Sequence, residues 1–320
     1  MTDLFITKHR ALKKIREYFE KTGAVEVFTP CISPYPNLDP NIYPVELYVQ
    51  KSDGKKIKAY LHTSPEYSMK KILANLKKDI YQISHVFRNY EGSKLHTVEF
   101  MMLEWYRVDF DLDMLMEDTK NIFVEVCQEI SGKPSAKFRG KTYDFTDWEK
   151  ITVDEAFYRY TGIYPDQKDK LYSFLRNSGI KHTGLEIERY EEIFFTVYAF
   201  YVEPNLGTEK PTFIYDYPPE FSALSRIIDG KGKRFEAYIG GIELVNGYQE
   251  LTDTVQLKVR LEKDKAEKQK KGFDYPLDHE LLEAVKDMPE CSGASLGIDR
   301  LLMVLLNKEN IKQTQGLNWI

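Results

Sequence analysis

Two neighbouring strand-like stretches, residues 81–90 and 98–106, carry the first residues that could do chemistry. In both stretches apolar and polar side chains alternate with a period of two, which is typical of paired β-strands. Arg88 ends the first strand, and Glu104 and Tyr106 share one face of the second. An arginine that faces a carboxylate and a phenol can hold an anion beside an ammonium group. An ordinary antiparallel pair with a surface arginine explains the same pattern equally well.

A second group of residues consists of carboxylates around a predicted tight turn. Gly240 and Gly241 form a two-residue hairpin signal, because such turns need positive φ angles. The hairpin register places Tyr238 opposite Glu243, so Glu236 shares a face with Glu243 as its diagonal neighbour. Two carboxylates this close repel each other unless a cation lies between them. The pattern therefore predicts a divalent metal ion that Glu236, Glu243 and phosphate oxygens bind together.

Glu250 joins these carboxylates only if the strand that carries Glu243 is irregular. It lies seven residues after Glu243 and would face the opposite side of a regular strand. A β-bulge at residues 246–247 would insert one residue and restore the parity, so that all three acids line one floor. The alternative explanation is that the three acids are simply exposed on the solvent-facing side of a sheet.

A third group lies where a strand runs into the apolar helix predicted at residues 301–306. Gly293, Ser295 and Gly297 share one face of that strand, and their small size lets a flat ligand approach the backbone. Arg300, at the junction, can pair with a phosphate or stack on a base. Close packing of the strand is the alternative explanation for the small residues.

These groups resemble the signature motifs of class II aminoacyl-tRNA synthetases. Residues 87–89, His96 and residues 99–106 are similar to motif 2, and residues 293–300 are similar to motif 3. The stretch 61–70 and the Leu-Glu-Trp-Tyr ending of motif 2 resemble the lysyl branch, in particular its truncated ligases that attach (R)-β-lysine to elongation factor P. The resemblance covers nearly the whole chain. It implies a class II catalytic domain with an α+β fold, in which helices flank an antiparallel sheet.

The resemblance also implies roles for individual residues. Arg88 and Arg300 would be catalytic, with Arg88 at the α-phosphate of ATP and Arg300 at the γ-phosphate end. Mg²⁺ would be bound by Glu236 and Glu243, and Phe100 would stack under the adenine. The implied ATP-binding residues are Arg88, Asn89, His96, Thr97, Phe100, Glu243, Leu244, Gly297 and Arg300. The implied substrate-binding residues are Ser64, Glu66, Glu104, Tyr106, Asn246 and Glu250.

The reaction that these roles imply is the activation of an amino acid. Its carboxylate attacks the α-phosphorus of ATP and gives an acyl-adenylate and pyrophosphate, with positioning and charge neutralisation as the main catalytic effects. A pocket with three acids and a phenol fits a diamine better than a neutral amino acid. The expected function is ligation of (R)-β-lysine, or a close lysine analogue, to a lysine of elongation factor P.

Two other functions are consistent with the same fold. One is a free-standing ligase that joins an amino acid to ammonia or another small amine. The other is a non-catalytic regulator that senses amino acids. Both phosphate arginines and both metal carboxylates are present, which counts against the regulator, because binding alone does not require them.

Three positions depart from the pattern of the resembled family. Tyr90 replaces a glutamate of motif 2 and is followed by Glu91, so the adenine-side acid is either lost or displaced by one residue. Thr97 stands where the family has asparagine, and Ser295 stands where it has glycine or alanine. These departures bear on the identity of the substrate more than on the fold.

The rest of the chain supplies the elements that position these groups. Periodic apolar residues predict an amphipathic helix over 7–22 that stops at Gly23, and a strand over 24–30 follows. This pair resembles motif 1, the dimer interface of the family. The helix of residues 258–271 is rich in charge and is predicted to face solvent, and His182 is predicted to be an ordinary surface residue. Other predicted helices are 63–76 with Ser64 as N-cap and Pro65 as first residue, 111–130, and two or three within 152–202.

The composition of the chain limits its domain organisation, its partners and its compartment. The 320 residues are 42% hydrophobic and contain no linker-like segment, so one catalytic domain over 1–320 is expected, without an anticodon-binding module. The net charge of −5 argues against general nucleic-acid binding, and tRNA is not the expected acceptor. Three cysteines without metal spacing fit a reducing cytoplasm, and no signal peptide or membrane span is indicated. We expect a cytoplasmic homodimer.

Overall fold

The computed structural model describes residues 2–180 and 189–317, and His182 lies outside them. Within these residues the α-helices are α1 (Thr2–Lys21), α2 (Glu66–Leu76), α3 (Leu112–Ser131), α4 (Val153–Thr161), α5 (Lys168–Asn177), α6 (Tyr190–Val197), α7 (Thr254–Lys270), α8 (His279–Val285) and α9 (Ile298–Leu305). The strands are β1 (Val25–Glu26), β2 (Ile32–Ser33), β3 (Val45–Gln50), β4 (Lys56–Leu61), β5 (Ile80–Phe87), β6 (Glu99–Val108), β7 (Ser135–Phe138), β8 (Lys141–Asp144), β9 (Glu149–Thr152), β10 (Thr212–Tyr217), β11 (Ile227–Ile228), β12 (Lys231–Ile239), β13 (Ile242–Gln249) and β14 (Cys291–Gly297).

Nine of the described strands form one sheet in the order β1-β5-β6-β14-β13-β12-β10-β9, with β11 paired to β12. The pairs β1–β5 and β9–β10 are parallel, and the other pairs in this sheet are antiparallel. The predicted α+β fold, with helices around a mostly antiparallel sheet, is therefore confirmed. In the part of the chain that the structure describes, no helix combines the length and the apolar character needed to cross a membrane.

Apolar and polar side chains alternate along the central strands, so this sheet has one apolar face and one polar face. In β6, Leu103 and Trp105 are fully buried in a core cluster that includes residues of α1, α3 and α9. Glu104 and Tyr106 point to the opposite face, because successive residues of a strand alternate. Two further apolar clusters flank that face, one with residues of α2, α7 and α8 and the other with residues of α4, α5 and α6. The polar face is thereby left as the floor of a cleft.

The strand predicted over 24–30 is shorter than expected. Only Val25–Glu26 forms β1, which pairs with β5 at the edge of the sheet. The amide of Thr29 donates to the side-chain oxygen of Gln82 at 3.1 Å instead of to a backbone carbonyl. Pro30 has no amide hydrogen, so the ladder cannot continue beyond this point.

Several helices begin a few residues away from their predicted starts. The first helix begins at Thr2, and α9 begins at Ile298 instead of at residue 301. The helix α2 begins at Glu66, so Pro65, predicted as its first residue, is its N-cap residue. Ser64 is therefore not the N-cap, but its hydroxyl still accepts a hydrogen bond from the Glu66 amide at 3.1 Å.

One residue of α7 contradicts the prediction that this charge-rich helix faces solvent. Lys268 is fully buried, its Nζ donates to the carbonyl of Ile42 at 2.6 Å, and it lies 3.6 Å from the ring centroid of Tyr43. A cation over an aromatic face is attracted by the ring quadrupole. The helix thus anchors the segment around residue 42, which lines the cleft.

Candidate active site

The polar face of the sheet holds a cavity of about 220 Å³. Its walls come from the central strands, the start of α2 and one side of α7. Among the described residues that line it are nine that the sequence placed in the site, namely Ser64, Glu66, Arg88, Glu104, Tyr106, Asn246, Glu250, Gly293 and Ser295. The predicted metal ligands and the predicted ATP residues other than Arg88 do not line this cavity.

Strand register forms the floor of the cavity. Ser295 lies opposite Glu104 on one side and Asn246 on the other, so the three side chains form a row across β6, β14 and β13. In the next row Gly293 lies opposite Tyr106. An added Cβ at Gly293 would lie 2.4 Å from the Tyr106 ring, so the close approach that this glycine permits is that of the tyrosine.

Glu250 reaches this face through a β-bulge, but not through the predicted one. The ladder between β12 and β13 is regular at Glu243 and slips by one residue at Leu244, before Val245. The bulge predicted at residues 246–247 is therefore wrong, although the extra residue restores the parity as expected. Leu244 and Val245 are both buried in the apolar core, which explains why the extra residue falls there.

Glu104 and Tyr106 form a buried hydrogen-bonded pair. The hydroxyl of Tyr106 donates to Oε1 of Glu104 at 2.6 Å. Burial, followed by the charge of Glu66, raises the pKa of Glu104 to about 8. A carboxyl group with this pKa is mostly protonated at neutral pH and ionises when a cation binds beside it. The pair can therefore receive the ammonium group of a ligand.

Lys70 is a residue of this site that sequence reasoning missed. Its Nζ lies 2.6 Å from Oε1 of Glu66 and 2.7 Å from Oε2 of Glu250. Burial raises the pKa of Glu250 to about 7, while the charge of Lys70 opposes this shift. The spacing of four residues between Glu66 and Lys70 is the usual sign of a helical ion pair, and it could have pointed to this residue.

Arg88 reaches the cavity from the end of β5, as predicted. Its Nε donates to the carbonyl of Thr63 at 3.3 Å, and its guanidinium carbon lies 5.1 Å from the ring centroid of Phe100. Within residues 2–180 and 189–317, Arg88 forms no salt bridge. Its remaining donors are therefore available for an anion in the cavity.

Arg300, in the first turn of α9, is held in place by its neighbours. It donates to the backbone carbonyl of Glu243 at 2.6 Å, and its other terminal nitrogen lies 2.7 Å from Nε2 of His96. Burial, and then the charges of Arg300 and Arg88, lower the pKa of His96 to about 4. The neutral imidazole can accept the arginine bond, so the guanidinium is preorganised for phosphate.

Tyr90, one of the departures from the family pattern, lies outside the cavity. This residue has a φ of 65°, and its side chain points outward, 73% exposed. Burial raises the pKa of Glu91, and the charges of Arg88 and Arg300 oppose that shift. Glu91 therefore lies within electrostatic range of both arginines, as an acid displaced by one residue would.

The other predicted ATP-binding residues differ in which of their groups are available to contact a nucleotide. The hydroxyl of Thr97 is engaged with a backbone carbonyl at 2.9 Å and with the side chain of Gln315 at 2.8 Å. Asn89 uses its side-chain oxygen on the next backbone amide. The side chain of Leu244 lies in the core, so only its backbone can contact a nucleotide. An added Cβ at Gly297 would meet nothing closer than 3.7 Å, so packing does not require glycine there.

Glu236 and Glu243, the predicted Mg²⁺ pair, each have an arginine beside them, Arg234 at Glu236 and Arg300 at 3.6 Å from Glu243. Oε2 of Glu236 accepts hydrogen bonds from the hydroxyls of Tyr198 at 3.1 Å and Tyr238 at 2.8 Å, while Oε1 pairs with Arg234. A carboxylate oxygen has two lone pairs, so Oε1 keeps one acceptor position. Burial, and then the charge of Glu236, raise the pKa of Glu243. A divalent cation would neutralise this concentration of negative charge.

Glu203 is a further carboxylate beside this pair, and sequence reasoning missed it. Burial, followed by the charges of Glu243 and Glu236, raises its pKa to about 7. Glu203 directly follows a π-helical turn, Tyr198–Val202, a feature that is frequent at functional sites. In the described part of the chain, no three His, Cys, Asp or Glu side chains are placed to hold a metal ion by themselves. Mg²⁺ would take its remaining ligands from phosphate and water, as it usually does.

The chain is similar to known proteins over nearly its whole length. The family model of class II tRNA synthetases (D, K and N) matches residues 1–316. An elongation factor P–(R)-β-lysine ligase homolog of Aquifex aeolicus (strain VF5) is 40% identical over 301 residues, which cover 94% of each chain. The elongation factor P–(R)-β-lysine ligase of Proteus mirabilis (strain HI4320) is 35% identical over 314 residues, 96% of this chain and 92% of the relative. The motif residues lie on one face of the sheet, and the family model and both relatives match nearly the whole chain. The chain therefore belongs to the class II tRNA synthetase family of the D, K and N type.

Proposed function

We propose that this chain uses ATP to activate (R)-β-lysine, or a close lysine analogue, and transfers it to a lysine of elongation factor P. The observation that carries the proposal is the convergence of Glu66, Glu104 and Glu250 on one cavity. Several carboxylates in a largely buried pocket favour a substrate with two ammonium groups, because buried charges must be paired. The names of the two relatives support the same reaction.

In the first step the substrate carboxylate attacks the α-phosphorus of ATP, and pyrophosphate leaves. Arg88 would hold the α-phosphate oxygens from the cavity wall, and Arg300, kept in place by His96, would bind the γ-phosphate end. Mg²⁺ held by Glu236 and Glu243 would neutralise charge on the phosphate oxygens. The protein contributes mainly by positioning and by fixed charge.

In the second step the amine of the acceptor lysine attacks the carbonyl carbon of the adenylate. An amide bond forms, AMP leaves, and the amine gives up a proton. The attacking amine must be neutral, and an acidic surface can hold the lysine chain while the proton is lost locally. Such a surface is provided by four acids that line the cavity, Glu191, Glu220, Asp264 and Glu267.

The proposal is tested by pyrophosphate exchange with a panel of amino acids. The panel contains (R)-β-lysine, L-lysine, and norleucine, which lacks the side-chain amine. Exchange should depend on the diamino acids and be absent with norleucine. Exchange with a neutral amino acid alone would favour the free-standing ligase, and no exchange with any amino acid would favour the regulator.

Ser295 should influence the choice between lysine isomers. It lies in the cavity floor between Glu104 and Asn246, where its side chain narrows the pocket. Wild type should use β-lysine better than α-lysine, and Ser295→Gly should shift the ratio of kcat/KM values toward α-lysine. Bulk of this size discriminates by about 1–3 kcal/mol, or roughly 10- to 200-fold. A wild type that prefers α-lysine, with an unchanged ratio in Ser295→Gly, would refute this role.

Substrate binding should depend on pH through Glu104. An ammonium group beside Glu104 favours its ionised form, so binding releases a proton below the unliganded pKa of about 8. The KM for the diamino acid should therefore fall as the pH rises from about 6.5 to 8.5. Glu104→Gln should flatten this profile and raise KM by roughly 10- to 150-fold, because a charge-assisted hydrogen bond contributes about 1.5–3 kcal/mol. An unaltered KM profile in Glu104→Gln would contradict the assignment.

We also propose that the chain forms a homodimer through the segment that resembles motif 1. Val25 and Phe28 in this segment are 40% and 76% exposed, and Ile32, two residues after it, is 47% exposed. Burial of a side chain such as Phe28 in a second copy stabilises the dimer by about 1.5–3 kcal/mol per copy.

Light scattering should give about twice the 37.5 kDa chain mass for wild type. Phe28→Asp should shift the mass toward the monomer, and Phe200→Asp, at another exposed phenylalanine, should not; a dimer in both variants would refute this interface.

We further infer that residues 1–320 act as one catalytic domain in the cytoplasm, with a protein and not tRNA as acceptor. The net charge of −5 supplies no general attraction to an RNA backbone. The free cysteines Cys31, Cys127 and Cys291 fit a reducing compartment.

A further inference from the structure

We propose that the ammonium group of Lys70 is a fixed counter-charge that matches the substrate pocket to two ammonium groups of a ligand. Lys70 acts through Glu66 and Glu250, so it is a positioning residue for specificity and not a catalytic residue. The inference rests on the proposed function, because it concerns how the pocket recognises a diamino acid.

Lys70 lies where α2 meets the end of β13. Its side chain is 4% exposed, and its Nζ lies 2.6 Å from Oε1 of Glu66 and 2.7 Å from Oε2 of Glu250. Glu66 is one turn earlier on α2, and Glu250 directly follows β13. Both carboxylates line the cavity. The ammonium group therefore holds together two acids that would otherwise repel each other across the pocket.

Glu250 keeps the capacity to bind a ligand despite this contact. It is 2% exposed, and its Oε2 lies 2.7 Å from the ammonium group of Lys70. This contact engages one of its two carboxylate oxygens. A carboxylate has about four acceptor positions, so Glu250 keeps positions for a further donor. An ammonium group of a ligand in the cavity is such a donor.

The charges of the pocket then match those of a diamino acid. When a bound ligand keeps all three carboxylates ionised, they and the lysine ammonium leave two net negative charges at the floor of the cavity. Two ligand ammonium groups pair both charges, whereas a monoamine leaves one carboxylate unpaired or protonated. Without Lys70 full ionisation would add a third negative charge, for which the substrate has no partner, so one carboxyl group would stay protonated.

The ionisable groups around Lys70 come from each element packed against it. They are Glu66 and Tyr67 on α2, Glu104 and Tyr106 on β6, Glu250 after β13, and Cys291 on β14. Burial already raises the pKa of Glu250 to about 7 against the charge of Lys70. Loss of Lys70 should raise it further, so that Glu250 is protonated at neutral pH and must lose that proton before it can pair with the substrate.

The test compares Lys70→Met with Lys71→Met as a matched control. Lys71 is the next residue of α2 and also bridges two acids, Asp278 at 2.8 Å and Glu280 at 3.0 Å, but it does not line the cavity. The KM and kcat of pyrophosphate exchange are measured with (R)-β-lysine from pH 6 to pH 9. At pH 7, Lys70→Met should raise KM by about tenfold for each unit by which the pKa of the carboxyl rises. This loss should shrink toward pH 9 with little change in kcat, and Lys71→Met should follow wild type.

A charge-balanced double variant separates the counter-charge from simple packing. Lys70→Met combined with Glu250→Gln again leaves two net negative charges, so the pH profile of KM should return toward that of wild type. Lys70→Arg keeps the charge and should keep the profile. A KM loss in Lys70→Met that is equal at every pH would overturn the proposal. The proposal would also be overturned if the double variant raised KM by the product of the fold-changes in the two single variants.

A measurement without substrate keeps this test separate from that of the proposed function. A buried acid with a raised pKa lowers stability as the pH approaches that pKa, because the folded state then binds more protons than the unfolded state. The Tm of Lys70→Met should therefore fall further below that of wild type from pH 6 to pH 9, while Lys71→Met keeps a constant difference. This result in an enzyme that activates no diamino acid would refute the proposed function alone. A constant difference for Lys70→Met would refute the counter-charge, and if that variant does not fold, the double variant and Lys70→Arg carry the same comparison.

Discussion

Glu243→Ala should lower the rate of pyrophosphate exchange by about 100- to 1,000-fold, the usual effect of removing one group that stabilises developing charge. The variant would lose one of two carboxylates positioned for Mg²⁺ at the phosphates of ATP. Glu236→Ala should have a similar effect on the rate. It should also lower stability, because Arg234 and the hydroxyls of Tyr198 and Tyr238 lose their acceptor. Glu243→Ala is the cleaner of the two variants, because among the described residues its side chain loses only the 3.6 Å ion pair with Arg300.

The control for both variants is Glu209→Ala. Glu209 is a surface acid whose side chain is 86% exposed and pairs with Lys141, so its loss changes the net charge equally without touching the hairpin acids. Circular dichroism establishes that each variant is folded, and exchange is measured at low Mg²⁺. Near wild-type exchange in both hairpin variants would refute the metal site.

Arg88→Ala should reduce kcat of the same exchange by about 100- to 1,000-fold while KM for the amino acid changes little. Arg88 forms no salt bridge within the described residues, so its removal breaks no ion pair there. The loss would then report the contact with the α-phosphate in the transition state. Arg300→Ala is a less direct probe, because His96 and the carbonyl of Glu243 would lose their partner as well.

Arg159→Ala is the matched control for Arg88→Ala. Arg159 lies on the surface, where it pairs with Glu149 at 2.8 Å, and it does not line the cavity. An exposed pair of this kind contributes about 0.2–1 kcal/mol to stability and should leave the exchange rate unchanged. Equal kinetic losses in the two variants would show that Arg88 has no specific role in the reaction.

Turn chemistry made the acidic hairpin predictable from the sequence. Gly240 and Gly241 have φ angles of 60° and 72°, as a two-residue hairpin requires. This turn fixes the register in which Tyr238 faces Glu243, so two of the acids could be assigned to one face without a structure. A local rule was enough because every residue involved lies within a few positions of the turn.

The position of the bulge depends on packing that the local sequence does not reveal. Asn246 and Gly247 looked like an irregularity because glycine is rare in the middle of a strand. Gly247 is instead required by Phe235, whose ring would lie 2.4 Å from an added Cβ. The extra residue falls at Leu244, whose side chain has space in the core formed by distant helices.

The missed residues of the site share a different cause, which is contact between distant parts of the chain. Lys70 lies on α2 and pairs with Glu250, 180 positions later. Glu203 directly follows a π-helical turn and approaches Glu243, 40 positions later. Lys268 is buried by residues around Tyr43. No period or motif of a single segment encodes such contacts, so they required the tertiary structure.

The activated amino acid is expected to pass to a protein lysine, and a labelled amino acid shows most directly which acceptor receives it. The enzyme is incubated with ATP and labelled (R)-β-lysine, together with purified elongation factor P in one reaction and total tRNA in another. The label should appear on elongation factor P in a bond that survives mild alkali, as an amide does and an ester to tRNA does not. Label on tRNA in preference to elongation factor P would contradict the proposed function.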